Sequence, residues 1–342
     1  RNLPQVHTIV RIMRMICEIV CPGVLLLGEV VMAPEKVVPY FGTVEKPECH
    51  LLYNVTTMAS TWHTVATKDV SLLRRQLDII SELPRDYVFQ NYLRCHDDIG
   101  WGLDYEYLEN FGIQEVPHKK YLNDFLTGKY PDSFARGELY NDDPRLGDAR
   151  LCGTTASLCG IERFGFEGNQ EGVDRAVRYD ITLHAFMLSQ SGIPVIYSGD
   201  EIGQVNDYSY KDDPEKSDDS RYLHRGKFDW KLAENRHDPA TVQGKLFPVL
   251  DKLEHIRSSH GIFNSNVPIH TIDTWDNSIL AFVRENDEEK FIGIYNFSEN
   301  DKVAWINEED GMYTDLISGR EMEAKGVQIP AFGCYWLCRN KQ

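Results

Sequence analysis

The apolar positions of this chain follow two periods, and the change between them divides it. From Pro4 onward, Val6, Ile9, Val10, Met13, Ile16 and Val20 recur at helical spacing, with the proline where a first turn tolerates it. Gly23 stops that helix, and Val24 to Leu27 reads as a short, continuously apolar strand of the kind buried on both faces. The alternation repeats. Leu51-Leu52-Tyr53-Asn54-Val55 reads as a strand, and Asp69 caps a helix with Val70, Leu73, Leu77 and Ile80 on one face, closed near Pro84. Tyr87 to Leu93 is the next strand. A helix from Val173 to Gln190, a buried strand from Gly192 to Tyr197 and a helix over Val242 to Ser259 continue the series.

After that helix the period becomes two. Ile279 to Val283, Phe291 to Tyr295, Val303 to Ile306 and Val327 to Cys338 read as strands between polar turns, a separate all-β module of about eighty residues. Between Gly102 and Asn169 no period holds, which predicts a long, loop-rich insertion at a strand end. Buried strands alternating with helices and carrying polar motifs at their C-terminal ends describe half of a (β/α)8 TIM-type barrel. A doubly wound sheet is the alternative, but no glycine-rich phosphate loop follows any strand.

Two of those strand ends carry chemistry. The run Arg94-Cys95-His96-Asp97-Asp98-Ile99-Gly100-Trp101 follows the strand that ends at Leu93, and Glu29 ends the run Val24 to Gly28. Carboxylates accept paired hydrogen bonds from vicinal hydroxyls, and a histidine donor beside them completes the grip on a sugar. Two carboxyls on separate strand ends also suit glycosidic chemistry. Glu29 and Asp97 are therefore the candidate catalytic residues, with His96 on the same ring. Asp200-Glu201 is read as orienting strand-end loops rather than reacting.

Composition narrows the partners. With 36 Lys+Arg against 53 Asp+Glu in 342 residues, the net charge of −17 argues against nucleic acid or an anionic membrane surface. The longest apolar region, Ile16 to Leu27, is broken by Glu18 and Pro22 and is too short to span a bilayer. The chain starts at Arg1 with no visible signal peptide, which predicts a fragment whose true N-terminus lies upstream. Eight cysteines are scattered without CxxC pairing, so no metal is expected and a reducing, cytoplasmic compartment is. No cofactor is expected either, because carboxyls supply both proton transfer and nucleophile.

Taken in order, Gly28-Glu29, Cys95 to Trp101, Ser133-Phe134-Ala135-Arg136-Gly137, Gly147-Asp148-Ala149-Arg150, Gly199-Asp200-Glu201-Ile202-Gly203 and Lys216-Ser217-Asp218-Asp219-Ser220-Arg221 form a series. On these residues the chain resembles the α-amylase superfamily of retaining glycosidases, and more narrowly its amylosucrase family. The resemblance implies that Glu29 is the general acid/base and Asp97 the carboxylate that stabilises the oxocarbenium-like transition state. It places His96 against the same glucosyl ring, and Asp98, Arg150 and Arg221 around the acceptor subsite. It implies the barrel's second half over residues 1–98 and 170–260, a domain inserted after the seventh strand over 99–169, and a C-terminal β-sandwich over 261–342. The implied activity cleaves sucrose, releases fructose and passes glucose to an α-1,4-glucan or to water. An α-glucan hydrolase or sucrose hydrolase of the same superfamily, and a non-catalytic glucan-binding relic, are the alternatives. The family's nucleophile would precede residue 1, so this stretch alone is expected to be inactive.

Overall fold

The computed structural model describes residues 2–143, 145, 147–306 and 310–341; Arg1 lies outside them. Helix α1 (Pro4–Val20) carries its proline in the first turn, as the spacing predicts, yet none of its residues is buried. Val6 and Val10 rest on a small core built by Val37, Tyr40, Phe41, Cys49, Leu52 and Phe89. Ile9, Ile12, Met13, Ile16 and Ile19 face outward.

The expectation of a doubly buried strand over Val24 to Leu27 is corrected by the structure. Strand β1 is only Leu27–Gly28, at one edge of its sheet, and Val24, Leu25 and Leu27 are 41%, 58% and 37% exposed. An edge strand has a neighbour on one side only, so its apolar residues are half covered. Short α2 (Pro34–Val37) leads on to β2 (Leu51–Tyr53), after which α3 (Val55–Thr67) begins where the strand was expected to continue. Every α3 residue except Thr67 is buried, and a helix enclosed on all sides shows no amphipathic stripe. Helix α4 (Ser71–Ser81) follows with Leu73 and Leu77 buried as predicted. Its N-cap is Val70, and Asp69 Oδ1 accepts from the Ser71 amide at 2.8 Å.

Strand β3 (Val88–Asn91) comes next, and β6 (Ile193–Pro194) closes the sheet much later in the chain. The order is β1-β2-β3-β6, all parallel. Asn54 Nδ2 donates to Asn91 Oδ1 at 2.8 Å and Asn91 Nδ2 donates to the Ser191 carbonyl at 2.8 Å, a polar ladder linking β3 to the segments that flank β2 and β6. Like β1, β6 is an edge: Ile193 and Val195 are 40% and 39% exposed, which corrects the expectation of a buried strand there.

The stretch 102–169, expected to be loop-rich, is folded. It holds α5 (Tyr105–Glu109), α6 (Glu115–Leu126), the antiparallel pair β4 (Glu138–Tyr140) and β5 (Arg150–Cys152), α7 (Thr155–Cys159) and α8 (Ile161–Phe166). Leu108, Leu122, Phe125, Leu126, Phe134 and Leu151 join the same core as α3. Apart from α6 these elements are six residues or shorter, too short for a period to register. Then α9 (Gln170–Ser189), short α10 (Trp230–Glu234) and α11 (Val242–Ser259) complete the α/β part.

The C-terminal region is β, as the period of two predicts. Strands β7 (His270–Ile272), β8 (Ile279–Glu285), β9 (Glu289–Asn296), β10 (Lys302–Ala304), β11 (Met312–Asp315), β12 (Glu321–Glu323), β13 (Val327–Ile329) and β14 (Cys334–Asn340) form two sheets. A six-stranded sheet in the order β12-β11-β14-β9-β8-β7 and the pair β10-β13 share a core of Ile279, Ile292, Ile294, Ala304, Val327 and Ile329. The other face of the larger sheet packs on α9, where Phe186 meets Tyr295 edge-on at 5.5 Å.

One cation ties these parts together. The Lys68 ammonium lies 4.7 Å from the Phe134 ring, 5.1 Å from Phe332, 5.3 Å from Tyr179 and 5.4 Å from Phe125. Those rings come from the 102–169 stretch, α9 and the β13–β14 loop, so Lys68 joins all three. No helix among the described residues is long and apolar enough to cross a membrane.

The outward α1 stripe and the exposed residues beside β1 have a solution consequence, because contiguous apolar surface drives association. These 342 residues alone are expected to self-associate with rising concentration. Light scattering after size exclusion checks this, and a monodisperse, cooperatively melting monomer would overturn it.

Candidate active site

The site is assembled by strand ends. Strand β1 delivers Glu29, and Gly28 lets the backbone lie close to its neighbours: a Cβ there would sit 2.6 Å from Leu52 Cδ2 and 2.9 Å from Cys49 Sγ. Strand β3 runs on into buried Tyr92, Leu93 and Arg94. Trp62 Nε1, on α3, donates to the Leu93 carbonyl at 2.7 Å and holds that strand end.

Arg94 is the anchor. Its Nε donates to both oxygens of Asp200 at 2.8 and 3.1 Å, and its Nη1 donates to the His224 carbonyl at 3.0 Å. Both side chains of the Arg94–Asp200 pair are 2% exposed. Thr155 Oγ1 donates to Asp200 Oδ2 at 3.1 Å, and the Arg94 guanidinium lies 4.4 Å over the Tyr197 ring. Four segments distant in sequence thus meet at one ion pair. His224 is kept neutral, its pKa pushed down to about 3 by burial and by Arg94 nearby. Its Nδ1 accepts from the Gly153 amide at 3.1 Å.

The six residues singled out in the sequence lie together on this frame. His96 Nε2 is 3.9 Å from Glu29 Oε1, and both side chains are exposed. Arg221 Nη1 donates to Asp97 Oδ1 at 3.0 Å. Arg150 Nη1 lies 3.1 Å from Asp98 Oδ2. Arg221 is also gripped at both ends by Asp219, Nε to Oδ1 and Nη2 to Oδ2, each at 2.9 Å. Arg225 Nε donates to the His96 carbonyl at 2.5 Å and fixes the loop from the far side.

The two neighbouring aspartates are not equivalent. Burial raises the Asp97 carboxyl, but the Arg221 hydrogen bond and those from Asp98 outweigh it and leave it below its ordinary value. Asp98 is pushed up to about 6, first by burial and then by the adjacent Asp97 charge, against the pull of Arg150. Its Oδ1 is buried without a hydrogen-bond partner. Near neutral pH Asp97 is therefore a fixed anion, whereas Asp98 sits close to its own titration.

Tyr140 escaped the sequence reading, and Arg94, Asp219, His224 and Arg225 were given no place in the candidate site there. Tyr140 pairs with Arg150 across the β4–β5 register, and its ring lies 5.2 Å from the Arg150 guanidinium and 4.5 Å from that of Arg221. Both arginines thus rest on one aromatic ring beside the carboxylates. Nothing local marks Tyr140, because its role follows from strand pairing. Asp219, two residues before Arg221, had a signal: a carboxylate placed to hold the arginine. Asp200 does orient strand-end loops, through Arg94. Among the described residues, the cluster with metal-ligand spacing, His260, Glu289 and Cys338, lies in the β region.

No protein-family model matches the chain. It is 25% identical over 338 residues to a glucosylglycerate phosphorylase of Escherichia coli, covering 98% of this chain and 56% of that protein. To the glucosylglycerate phosphorylase of Spirochaeta thermophila it is 28% identical over 261 residues, 75% of this chain and 40% of the relative. The chain spans about half the length of the curated relatives it matches. Among solved structures, sucrose 6F-phosphate phosphorylase of Thermoanaerobacter thermosaccharolyticum superposes with a TM-score of 0.62 at 17% identity, over 94% of this chain and 55% of that one. An α-amylase from H. orenii gives 0.58 at 16% identity, over 99% and 57%. The fold is that of the α-amylase-type (β/α)8 proteins. The relatives support the α-amylase superfamily as its class. Within that class the sequence relatives are glucosylglycerate phosphorylases, and amylosucrase is not singled out.

Two predictions follow from the geometry. Asp200→Asn leaves Arg94 buried without its counter-charge and should cost about 3–5 kcal/mol, read by denaturant unfolding. Asp97→Asn removes a charge that raises Asp98, so the Asp98 midpoint should fall from about 6 toward the ordinary carboxylate range. Carboxyl-selective NMR titration checks the second, and an unchanged midpoint would mean that burial alone sets it.

Proposed function

We propose that this chain carries the acid/base and acceptor side of a retaining α-glucosyl-transferring enzyme. The half-barrel would lie at residues 1–98 and 170–260, the insertion at 99–169 and the β domain at 261–342. The carrying observation is the cluster itself: Glu29 beside His96, Asp97 locked by Arg221, and Arg150 and Arg221 sharing the Tyr140 ring. Glu29 protonates the glycosidic oxygen as the bond to the leaving group breaks, then takes the proton of the incoming acceptor. Asp97 accepts hydrogen bonds from the ring hydroxyls, and its depressed pKa keeps it charged for that role. Asp98, Arg150 and Arg221 meet the leaving group and acceptor.

Phosphate is the acceptor we favour and glucosylglycerate the donor, a reading supported by the names of the sequence relatives and by two arginines at the acceptor side. Glycerate leaves first, as a carboxylate nucleophile supplied by the rest of the barrel takes the glucosyl carbon, and phosphate then displaces that carboxylate to give glucose 1-phosphate. Sucrose cleavage with transfer to a glucan or to water is the second reading, favoured by the run from Lys216 to Arg221 and its resemblance to amylosucrases. A cytoplasmic setting goes with either reading, and all eight cysteines are unpaired.

The test uses the full-length gene product with glucosylglycerate or sucrose, with and without phosphate and glycogen. Phosphate-dependent glucose 1-phosphate from glucosylglycerate is the expected result. Fructose from sucrose without phosphate would install the second reading, and neither product would sink both. Glu29→Gln should lower kcat by roughly 10²–10⁴ while leaving sugar affinity near wild type. Equal loss of both would remove Glu29 from the acid/base role.

A further inference from the structure

Three side chains far apart in sequence meet at one end of the six-stranded sheet. His260 follows the last residue of α11, Glu289 opens β9, and Cys338 lies on β14. A ligand atom from each lies within 4.8 Å of the other two. His260 Nδ1 is hydrogen-bonded to Glu289 Oε1, and the Cys338 thiol points at the same oxygen from 3.8 Å. The other carboxylate oxygen accepts from the Ile262 amide at 3.3 Å. Glu289 and Cys338 are buried while His260 is partly open to solvent.

A histidine–carboxylate pair needs no thiol. Here the buried thiol is aimed at a carboxylate that His260 and the Ile262 amide already partner. One imidazole nitrogen, one carboxylate oxygen and one sulfur converging on a point are a donor set for a borderline divalent cation rather than for a hard one. With bonds of about 2.0–2.3 Å and tetrahedral angles, neighbouring ligand atoms stand about 3.4–3.6 Å apart. The Sγ–Oε1 distance of 3.8 Å is already close to that, whereas the His260–Glu289 hydrogen bond has to open by about 1 Å as the ion replaces it.

We propose that His260, Glu289 and Cys338 form a structural binding site for a zinc-type divalent cation, with water in the fourth position on the His260 side. The ion stands between the end of α11 and strands β9 and β14, and so staples the helical part to the β sheet. Thiolate and carboxylate together cancel its charge, which suits a buried position. Coordination through Nδ1 leaves the ring proton on Nε2 and expels the thiol proton to solvent. One proton is therefore released per ion when His260 starts neutral, and affinity rises with pH.

Cobalt(II) is the probe, titrated into the metal-free chain with Cys17 and Cys21 both replaced by serine. We expect one equivalent to bind with a near-ultraviolet thiolate-to-cobalt charge-transfer band, displaced by zinc(II) and not by magnesium(II). Cys338→Ser should abolish the band, and Glu289→Gln should weaken binding at least tenfold. His260 is partly exposed, so His260→Gln should keep the metal-free melting temperature and lose the upward shift that zinc gives. No thiolate band, a band that survives Cys338→Ser, or a zinc-induced shift retained in His260→Gln would each overturn the proposal.

Discussion

The architecture turns on a buried ion pair. Arg94 and Asp200 stand 106 residues apart in the chain, and each side chain is 2% exposed. Neither charge could be desolvated without the other, so the ends of β3 and β6 must meet as they do. Through Nη1 Arg94 also donates to the His224 carbonyl, and that segment bears Arg221 and Arg225. Arg225 then holds the His96 backbone, and Arg221 holds Asp97. The Glu29, His96 and Asp97 side chains are thus exposed or partly so, with Asp97 held by Arg221 and the His96 backbone by Arg225, while the Asp98 side chain is buried beside Arg150. A site built this way keeps its geometry without needing every one of its side chains buried.

Arg284 of β8 joins the β sheet to the helical part, and Arg257 of α11 ties the segment after α9 from within that part. Arg284 Nη1 donates to the Ser189 carbonyl at 2.9 Å, and Arg257 donates to the Gln190 and Gly192 carbonyls at 3.0 and 2.7 Å. These carbonyls close α9, where the helix dipole favours positive charge. Burial, with Arg257 nearby, pushes Arg284 down to about 9, so the arrangement holds while the guanidinium keeps its proton. Lys68 does for the 102–169 stretch, through four aromatic rings, what these arginines do with carbonyls.

Much of the frame was legible from one dimension. Helices α1, α4, α9 and α11 were readable because each shows a period or a buried run long enough to register. Strands β8 and β9 were readable for the same reason, whereas the single strand expected over Val327 to Cys338 is two, β13 and β14, in different sheets. Helix α3 was not, since burial on every side erases the stripe that marks a helix. Nor was the order in residues 102–169, where the elements are short and their partners lie elsewhere. The six candidate residues were singled out because Glu29 and the run His96 to Asp98 end apolar stretches, while Arg150 and Arg221 stand in motifs that carry the resemblance. Tyr140 and the anchoring role of Arg94 were missed because a ring beneath two guanidiniums and a buried arginine look ordinary in sequence.

The sequence by itself determined the alternation of helix and strand, the switch to a period of two, and the placing of carboxylates just after apolar runs. These depend on neighbours a few residues away, and local spacing encodes them. Only the tertiary structure decided which edge strands stay half exposed and which aspartate keeps its charge. It also decided that His260, Glu289 and Cys338 meet. Arg221 reaches Asp97 across 124 residues, and the Asp98 titration depends on Asp97, Arg150 and the burial around them. Charge and solvation respond to distance in space, which the order of residues along the chain does not carry.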